Sequence, residues 1–570
     1  MNFAHLLIVV IAAIAITIFA ERRNIQPPLL IALVGLAASF IPGLPRLELE
    51  PEIILTVVLP PLLFSAASEF SFVSFVRRLG SIVNLGVFLV AVTTGVVGAI
   101  AFWVVPYLSL PAAMVLAAVV SPTDAVTAVA VGRKLGLPAR VMTVLKGESL
   151  INDAAALTLF SFTAAVITGY SLPIDNLAIY FGYAAFAGII VGVVLGAVVH
   201  IIRMRLTNAS LATVLTVLVP FAAYMLAEEF GASGVLAVVA AGFSLGHNSP
   251  SASSASRIQT RQFWSTLDAL LEAFVFAYIG LQLRFVLADA QQSGFEVWGL
   301  LQVSLLVLLA VIAVRIVWVF LTAGIRKWTE PLRRRGMEKR ELRYQLLEER
   351  LRAKPPRRGR GGGRHRNRRP QDPPEPFPWR ENLIISWTGM RGVVTLAAAS
   401  GVPVLTAGGE PFAGRNAILA IAFIVTIGTL LIQGLSLPWL IDKLHVSDPN
   451  EEKHRLEHFE RARKLSRQAA VAAVTAYREE LPDDESRQVA QAFLDRVKGE
   501  TDEARPPWAG SDGAAIITLS QRVLNARRAA LIAARDAEEL DDEIMREVLE
   551  QMDREQAVAD NWKPEQYGQF

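Results

Sequence analysis

Apolar residues fill the first 445 positions in long runs separated by short polar or Pro/Gly-bearing stretches. The runs lie at approximately 3–20, 27–43, 53–67, 82–105, 112–131, 141–167, 177–202, 211–226, 234–245, 263–283, 297–323, 383–404 and 417–441. A helix crossing the hydrocarbon of a bilayer takes about 20 mainly apolar residues, with a range of about 17–25, because lipid offers no partner to an unpaired backbone group. The pattern therefore predicts an all-α membrane protein with about thirteen transmembrane helices over residues 1–445. Past residue 446 the pattern changes. Residues 451–480, 485–500 and 513–558 are rich in Ala, Glu, Arg and Leu at helical spacing, predicting a helical cytoplasmic region over 446–570 that could be regulatory or merely solubilising. The first run lacks a charged leader and exceeds the roughly 7–15 apolar residues of a cleavable signal, so it is read as a retained helix.

Composition sharpens this picture through its unevenness. The 570 residues are 53% hydrophobic and 19% charged, against about 45–50% and about 25% in soluble chains. From Gly324 to Arg380 there are 19 basic and 7 acidic residues; from Asp442 to Phe570 there are 19 basic and 28 acidic. These opposite excesses, +12 and −9, account for the whole formal charge of +3. The basic stretch contains PPRRGRGGGRHRNRRP and has the composition of a disordered cytoplasmic loop. Contact of that loop with the acidic tail, or with anionic lipid, is one regulatory reading of the two charges. A nucleic-acid partner would require a basic surface on a folded domain, which this distribution does not predict. The absence of cysteine excludes disulfides and thiolate chemistry.

Loop charges orient the spans. With the N-terminus outside, one set of loops holds Arg22, Arg23, Arg77, Arg78, Arg133, Lys134, Arg140, Arg203, Arg205, Arg257 and Arg261, whereas the other holds Arg46, Arg284 and Arg415. The bias places the basic loop and the C-terminus in the cytoplasm. Thirteen spans divide as six, one and six, and an offset of seven reverses orientation, so two inverted six-helix repeats are expected. The fifth and twelfth spans both carry polar interruptions in mid-run.

Those interruptions hold the candidate chemistry. In the fifth span Pro122 removes a backbone donor, with Ser121 before it and Thr123 and Asp124 after it; an unwound stretch there exposes carbonyls and half-helix ends to a small ion. In the sixth, Glu148, Ser149, Asn152 and Asp153 interrupt an apolar helix, and Ser149, Asn152 and Asp153 share a face. An intramembrane carboxylate is a functional hypothesis by default, which makes Asp153 the leading candidate for the transported ion. Arg315 and Arg391 lie in apolar runs and call for carboxylate partners, with Glu148 and Asp124 available; Gly389 and Gly392 flank Arg391. Glu228, Glu229, Asp268 and Glu272 are read as span ends or extra polar groups, and His200 and His247 as surface residues.

The ordered motifs SPTDA, GESLINDA, FVFAYIGLQL, VRIVWVF, GMRGVVTLA and TLLIQGLSLP resemble the cation:proton antiporter-1 family, the sodium/proton exchangers, over about residues 1–445. The resemblance implies Asp153 as the carboxylate that alternately holds cation and proton, and Asn152 as its paired Asn. It implies Thr123 and Asp124 on an unwound crossing segment, Ser149 as a cation-site hydroxyl, and a structural ion pair between Glu148 and Arg315. Arg391 falls on the second crossing segment. It further implies a homodimer whose six-helix core moves against a dimerisation domain. Where related exchangers often carry an acid after LPPLLF, this chain has Ser65, with Glu69 four residues on.

Sodium takes hard oxygen ligands, and Asp153, Asp124 and Ser149, with the Thr123 carbonyl and water, would supply them. One carboxylate that takes either a cation or a proton gives electroneutral one-for-one exchange. The expected function is thus a Na+/H+ antiporter of a bacterial inner membrane, contributing to pH homeostasis, with no cofactor and no enzymatic reaction. Potassium/proton exchange at the same residues is the near alternative; a membrane sensor with a transporter-like domain is the alternative of another class.

Overall fold

The computed structural model describes residues 3–23, 25–42, 53–106, 108–169, 174, 176–352, 376–412, 414–446, 449–481, 484–498, 513–537 and 539–560. The described residues form helices joined by turns and unwound segments, and their one β-bridge joins Leu405 and Pro411. The helices are α1 Phe3–Arg22, α2 Pro27–Ser39, α3 Ile54–Glu69, α4 Phe72–Val104, α5 Leu110–Val120, α6 Val126–Leu135, α7 Ala139–Thr168, α8 Leu177–Arg205, α9 Ala209–Glu229 and α10 Gly234–Asn248. They continue with α11 Ser254–Gln292, α12 Val297–Arg352, α13 Trp379–Trp387, α14 Val393–Ser400 and α15 Arg415–Leu444, and the tail forms α16 Pro449–Glu480, α17 Asp484–Lys498, α18 Gly513–Asp536 and α19 Asp542–Asp560.

Seven of these, α4, α7, α8, α9, α11, α15 and the first part of α12 to Thr329, are long and apolar enough to cross a bilayer; α2, α3 and α5 are shorter apolar helices. Their outer faces carry large apolar side chains in the open, such as Phe186 and Val194 of α8 and Leu218 and Met225 of α9. In water this would be a liability, but against lipid tails it costs nothing, so helix association has to come from close packing. Gly188, Gly192 and Gly196 form one stripe of α8 and let α10 approach backbone to backbone: a Cβ on Gly192 would lie 2.1 Å from the Ala237 carbonyl.

Two packed groups result. One joins α8 and α9 to α10, α10 to α3, and α2 to α11; the other joins α4 to α5, α5 to α7, and α12 to both α4 and α15. The breaks between α5 and α6 and between α13 and α14 lie in the second group, with α15 packed against α5, α6, α13 and α14.

Helix α12 does not stop with its apolar run. It continues to Arg352, so the basic segment expected to be a loop from Gly324 is helical over its first half. Its sequence accounts for this, because KRELRYQLLEERLR is dense in strong helix formers with Glu and Arg at helical spacing. The Gly/Arg-rich remainder, 353–375, and Arg46 lie outside the described residues.

The tail packs on itself through Leu524, Leu531, Met545, Val548 and Met552, with Ala462 of α16. It also docks on the membrane domain. Arg257 at the start of α11 pairs with Asp553, and Arg546 of α19 donates to the carbonyls of Ser68 at 3.1 Å and Gly246 at 3.3 Å, in the last turns of α3 and α10. A cation on exposed C-terminal carbonyls satisfies both their hydrogen bonds and the helix dipole.

Candidate functional site

Helix α5 ends at Val120 because Pro122 cannot continue its ladder, and helix resumes at Val126, whose backbone N–H is accepted by Asp124 Oδ1 at 2.8 Å. On the other side α13 stops at Trp387, and Thr388–Gly392 run unwound to α14. The two breaks meet: the Asp124 N–H donates to the Met390 carbonyl at 2.7 Å. Gly392 is required at this crossing, since a Cβ there would fall 1.9 Å from Asp124 Oδ2.

Arg391 is buried beside the crossing, but its partners are carbonyls and not the expected carboxylate. Its Nε donates to Val120 O at 3.0 Å and its Nη1 to Gly389 O, while its backbone N–H donates to Thr429 Oγ1 at 3.1 Å. Val120 is the last residue of α5 and Gly389 follows α13, so the guanidinium sits where the partial negative ends of two half-helices converge. Asp124 instead serves the start of α6.

Glu148 and Arg315 form a bidentate ion pair, with Nη2 to Oε2 at 2.9 Å and both side chains about 2% exposed. Arg315 also donates to the Ile385 carbonyl through Nε at 3.1 Å and Nη2 at 2.9 Å. The Thr123 hydroxyl donates to Glu148 Oε1 at 2.9 Å, and Asn152 Nδ2 donates to Thr123 O at 2.9 Å and Oγ1 at 2.6 Å. One hydrogen-bonded chain thus ties α12, α7, the first break and α13 together. A buried charge pair survives only when its remaining donors and acceptors are met in this way.

A cavity of about 380 Å³ opens beside the crossing. Thr123, Asp124, Ser149 and Asp153 line it, and Asp153 is 6% exposed. The Ser149 hydroxyl accepts from the Ala125 N–H at 3.4 Å. Asn152 is not among the lining residues; its amide is committed to holding Thr123. Four of the five residues expected at the cation site therefore face one space, and the fifth braces it.

Asp268 and Glu272 also face this space, contrary to their reading as span ends or incidental polar groups. Ser65 donates its hydroxyl to Asp268 Oδ2, joining α3 to α11 across the cavity. Their spacing of four residues puts both carboxylates on one face of α11, and that periodicity was the available signal. Glu228 does behave as a helix end, accepting from the Gly234 N–H at 3.2 Å in the turn between α9 and α10.

Comparison with known proteins agrees with this architecture. The family model described as "Sodium/hydrogen exchanger, transmembrane" matches residues 8–443. The chain belongs to the sodium/hydrogen exchanger family. It is 30% identical to an uncharacterized Na(+)/H(+) exchanger of Mycobacterium bovis, over 96% of this chain and 95% of that protein. It is 26% identical to a Na(+)/H(+) antiporter of Aphanothece halophytica over 85% and 82% of the two chains. A sodium, potassium, lithium and rubidium/H(+) antiporter of Bacillus pumilus is 29% identical over 82% of this chain and 64% of its own length. The solved sodium proton antiporter of Methanocaldococcus jannaschii shares the fold, with a TM-score of 0.54 at 19% identity over 78% of this chain and 96% of that one.

Proposed function

We propose that this protein exchanges cytoplasmic sodium for external protons, one for one, with Asp153 carrying either ion in turn. The observation that carries this reading is the placement of the buried Asp153 in a cavity with Asp124, Thr123 and Ser149, beside the crossing of two broken helices. Carboxylate, hydroxyl and carbonyl oxygens are the donors a sodium ion takes in place of its water, and Asp153, Asp124 and Ser149 are its proposed ligands. Asp124 is half-occupied by its bond to Val126, Glu148 is neutralised by Arg315 and Asp268 accepts from Ser65. Glu272 lies on α11, whereas Asp153 shares a face of α7 with Ser149 beside the crossing, and Asp153 is therefore the proposed carboxylate that trades proton for cation. A single exchanged charge in each direction makes the cycle electroneutral.

The proposed arrangement has thirteen spans as two inverted six-helix repeats around a seventh, with the N-terminus outside and the tail in the cytoplasm of a bacterial cell. Alternating access moves the group bearing the two breaks against the α3/α10/α11 group, the latter supplying the dimer contact. The relative named for sodium, potassium, lithium and rubidium exchange makes potassium the second substrate to test.

The test is proton flux in everted vesicles holding a preformed pH gradient, to which sodium, lithium or potassium is added. Wild type is expected to dissipate the gradient with sodium, and Asp153→Ala to abolish the response at normal protein level. Undiminished exchange by Asp153→Ala would overturn the site. A folded wild type inert to all three cations would favour the sensor reading.

A further inference from the structure

The inner cavity continues outward. Glu69, Arg133 and Lys146 line both it and a second cavity of about 700 Å³, and the outer wall of this vestibule is the tail helix α19. On the proposed reading, any cation travelling between the tail side and Asp153 passes through this vestibule.

The walls of the vestibule are unequal in charge. Among the described residues, the helices before the tail contribute Arg133, Lys146, Arg203, Arg257 and Arg261 against the single acid Glu69. Such a mouth repels its own cargo. The tail contributes the acids Glu543, Glu547, Glu550 and Asp553 against Arg546 and Arg554, which halves the excess of positive charge from four to two. The pairing is specific. Asp553 takes Arg257, Glu550 takes Arg261 at 2.5 Å, and Arg546 is absorbed by Asp542 at 3.1 Å and by the carbonyls of Ser68, Glu69 and Gly246. Glu543 and Glu547, one helical turn apart on α19, are thereby presented to the vestibule that Arg133 and Lys146 share with the ion cavity. Glu547 is also bonded to Arg455 of α16 at 2.9 Å.

We infer that α19 is a cation-entry element, whose Glu543 and Glu547 offset the basic mouth so that sodium reaches Asp153 from the tail side. This rests on the antiport reading above and adds to it a role for the tail in apparent affinity. The mechanism is long-range Coulomb steering: charges lining a narrow passage set the local concentration of the ion that enters. It acts on half-saturation far more than on maximal rate, and salt screens it.

The experiment uses the full-length protein in everted vesicles, with sodium titrated at low ionic strength and again with choline chloride added. The variants are Glu543→Gln with Glu547→Gln, and Glu543→Lys. Glu543 and Glu547 are exposed, and a glutamine amide oxygen at 547 can still accept from Arg455, so these changes keep α19 on α16, as an unchanged elution volume and melting temperature will show. At an ionic strength of roughly 0.01 M, where the screening length is about 30 Å, the paired variant should raise the half-saturating sodium concentration about two- to four-fold, and charge reversal at least as much. At about 1 M, where screening shortens to roughly 3 Å, the difference should vanish. A wild type that exchanges sodium, with variants whose half-saturation is unchanged or lowered, overturns this inference alone. Variants with a higher maximal rate at unchanged half-saturation would make α19 a restraining lid and overturn it as well. A wild type without sodium-driven flux overturns the antiport reading and this one with it.

Discussion

The Glu148–Arg315 pair allows a quantitative test of what holds the site open. Replacing Glu148 by Leu leaves a guanidinium about 2% exposed with only the Ile385 carbonyl as partner, and deprives the Thr123 hydroxyl of its acceptor. Breaking one side of a buried pair costs about 3–5 kcal/mol, comparable to the roughly 4 kcal/mol between unit charges 4 Å apart at an effective dielectric constant of 20. Arg315→Met carries a similar cost through the stranded carboxylate. The double variant strands no charge; it loses the hydrogen bonds at Ile385 and Thr123, about 1 kcal/mol each. The expected order of melting temperature, followed by tryptophan fluorescence of purified protein in detergent, is wild type, then the double variant, then both single variants. The two losses must fail to add, because the residues touch. Single variants that melt with wild type, or a double variant that melts below both, would refute the reasoning that this pair is neutralised in place.

Two further changes probe the crossing. Gly392→Ala puts a methyl 1.9 Å from Asp124 Oδ2; the carboxylate must move, and sodium-driven proton flux should fall at least about ten-fold, the effect of a roughly 1.4 kcal/mol disturbance, so wild-type flux would show that Asp124 need not sit where it does. Asn152→Ala removes both bonds to Thr123 and should lower stability by about 1–3 kcal/mol while leaving cation selectivity unchanged; an altered selectivity series would instead place Asn152 among the ligands.

Much of this was legible in the chain because the bilayer makes polar residues conspicuous. Pro122 and Asp124 in one apolar run, and Gly389, Arg391 and Gly392 in another, mark the two breaks, and Asp153 stands out as a carboxylate in a third apolar run. The partner of Arg391 was not legible, because backbone carbonyls have no letter in a sequence; a demand for a carboxylate was the natural inference and Val120 O and Gly389 O answered it instead. Asp268 and Glu272 read as span ends or extra polar groups because they fall in the first turns of the apolar run at 263–283, whereas the helix extends over Ser254–Gln292 and both residues line the cavity with Asp153. The extension of α12 to Arg352 is hidden by charge: the density of Arg and Lys past Gly324 has the look of a solvated loop, while the helix propensity of the same residues prevails. The seat of the tail on α3, α10 and α11 depends on contacts between residues hundreds of positions apart, such as Arg546 and Ser68, which no local pattern encodes.

The crossing of the two breaks also bears on how the protein is made. Val120 and Arg391, joined across it, are 271 residues apart. At about 5–20 residues per second, synthesis takes roughly 10–50 s to cover that interval. Through all of it the segment from Ser121 to Ala125 sits in or beside the membrane without Met390 to accept from Asp124 or Arg391 to take the carbonyl of Val120. Unpaired backbone is tolerated at that depth only where water or protein meets it. The nascent first half must therefore be kept wetted or sheltered until the second half arrives, which makes the arrival of Met390 and Arg391 the step that closes the membrane domain.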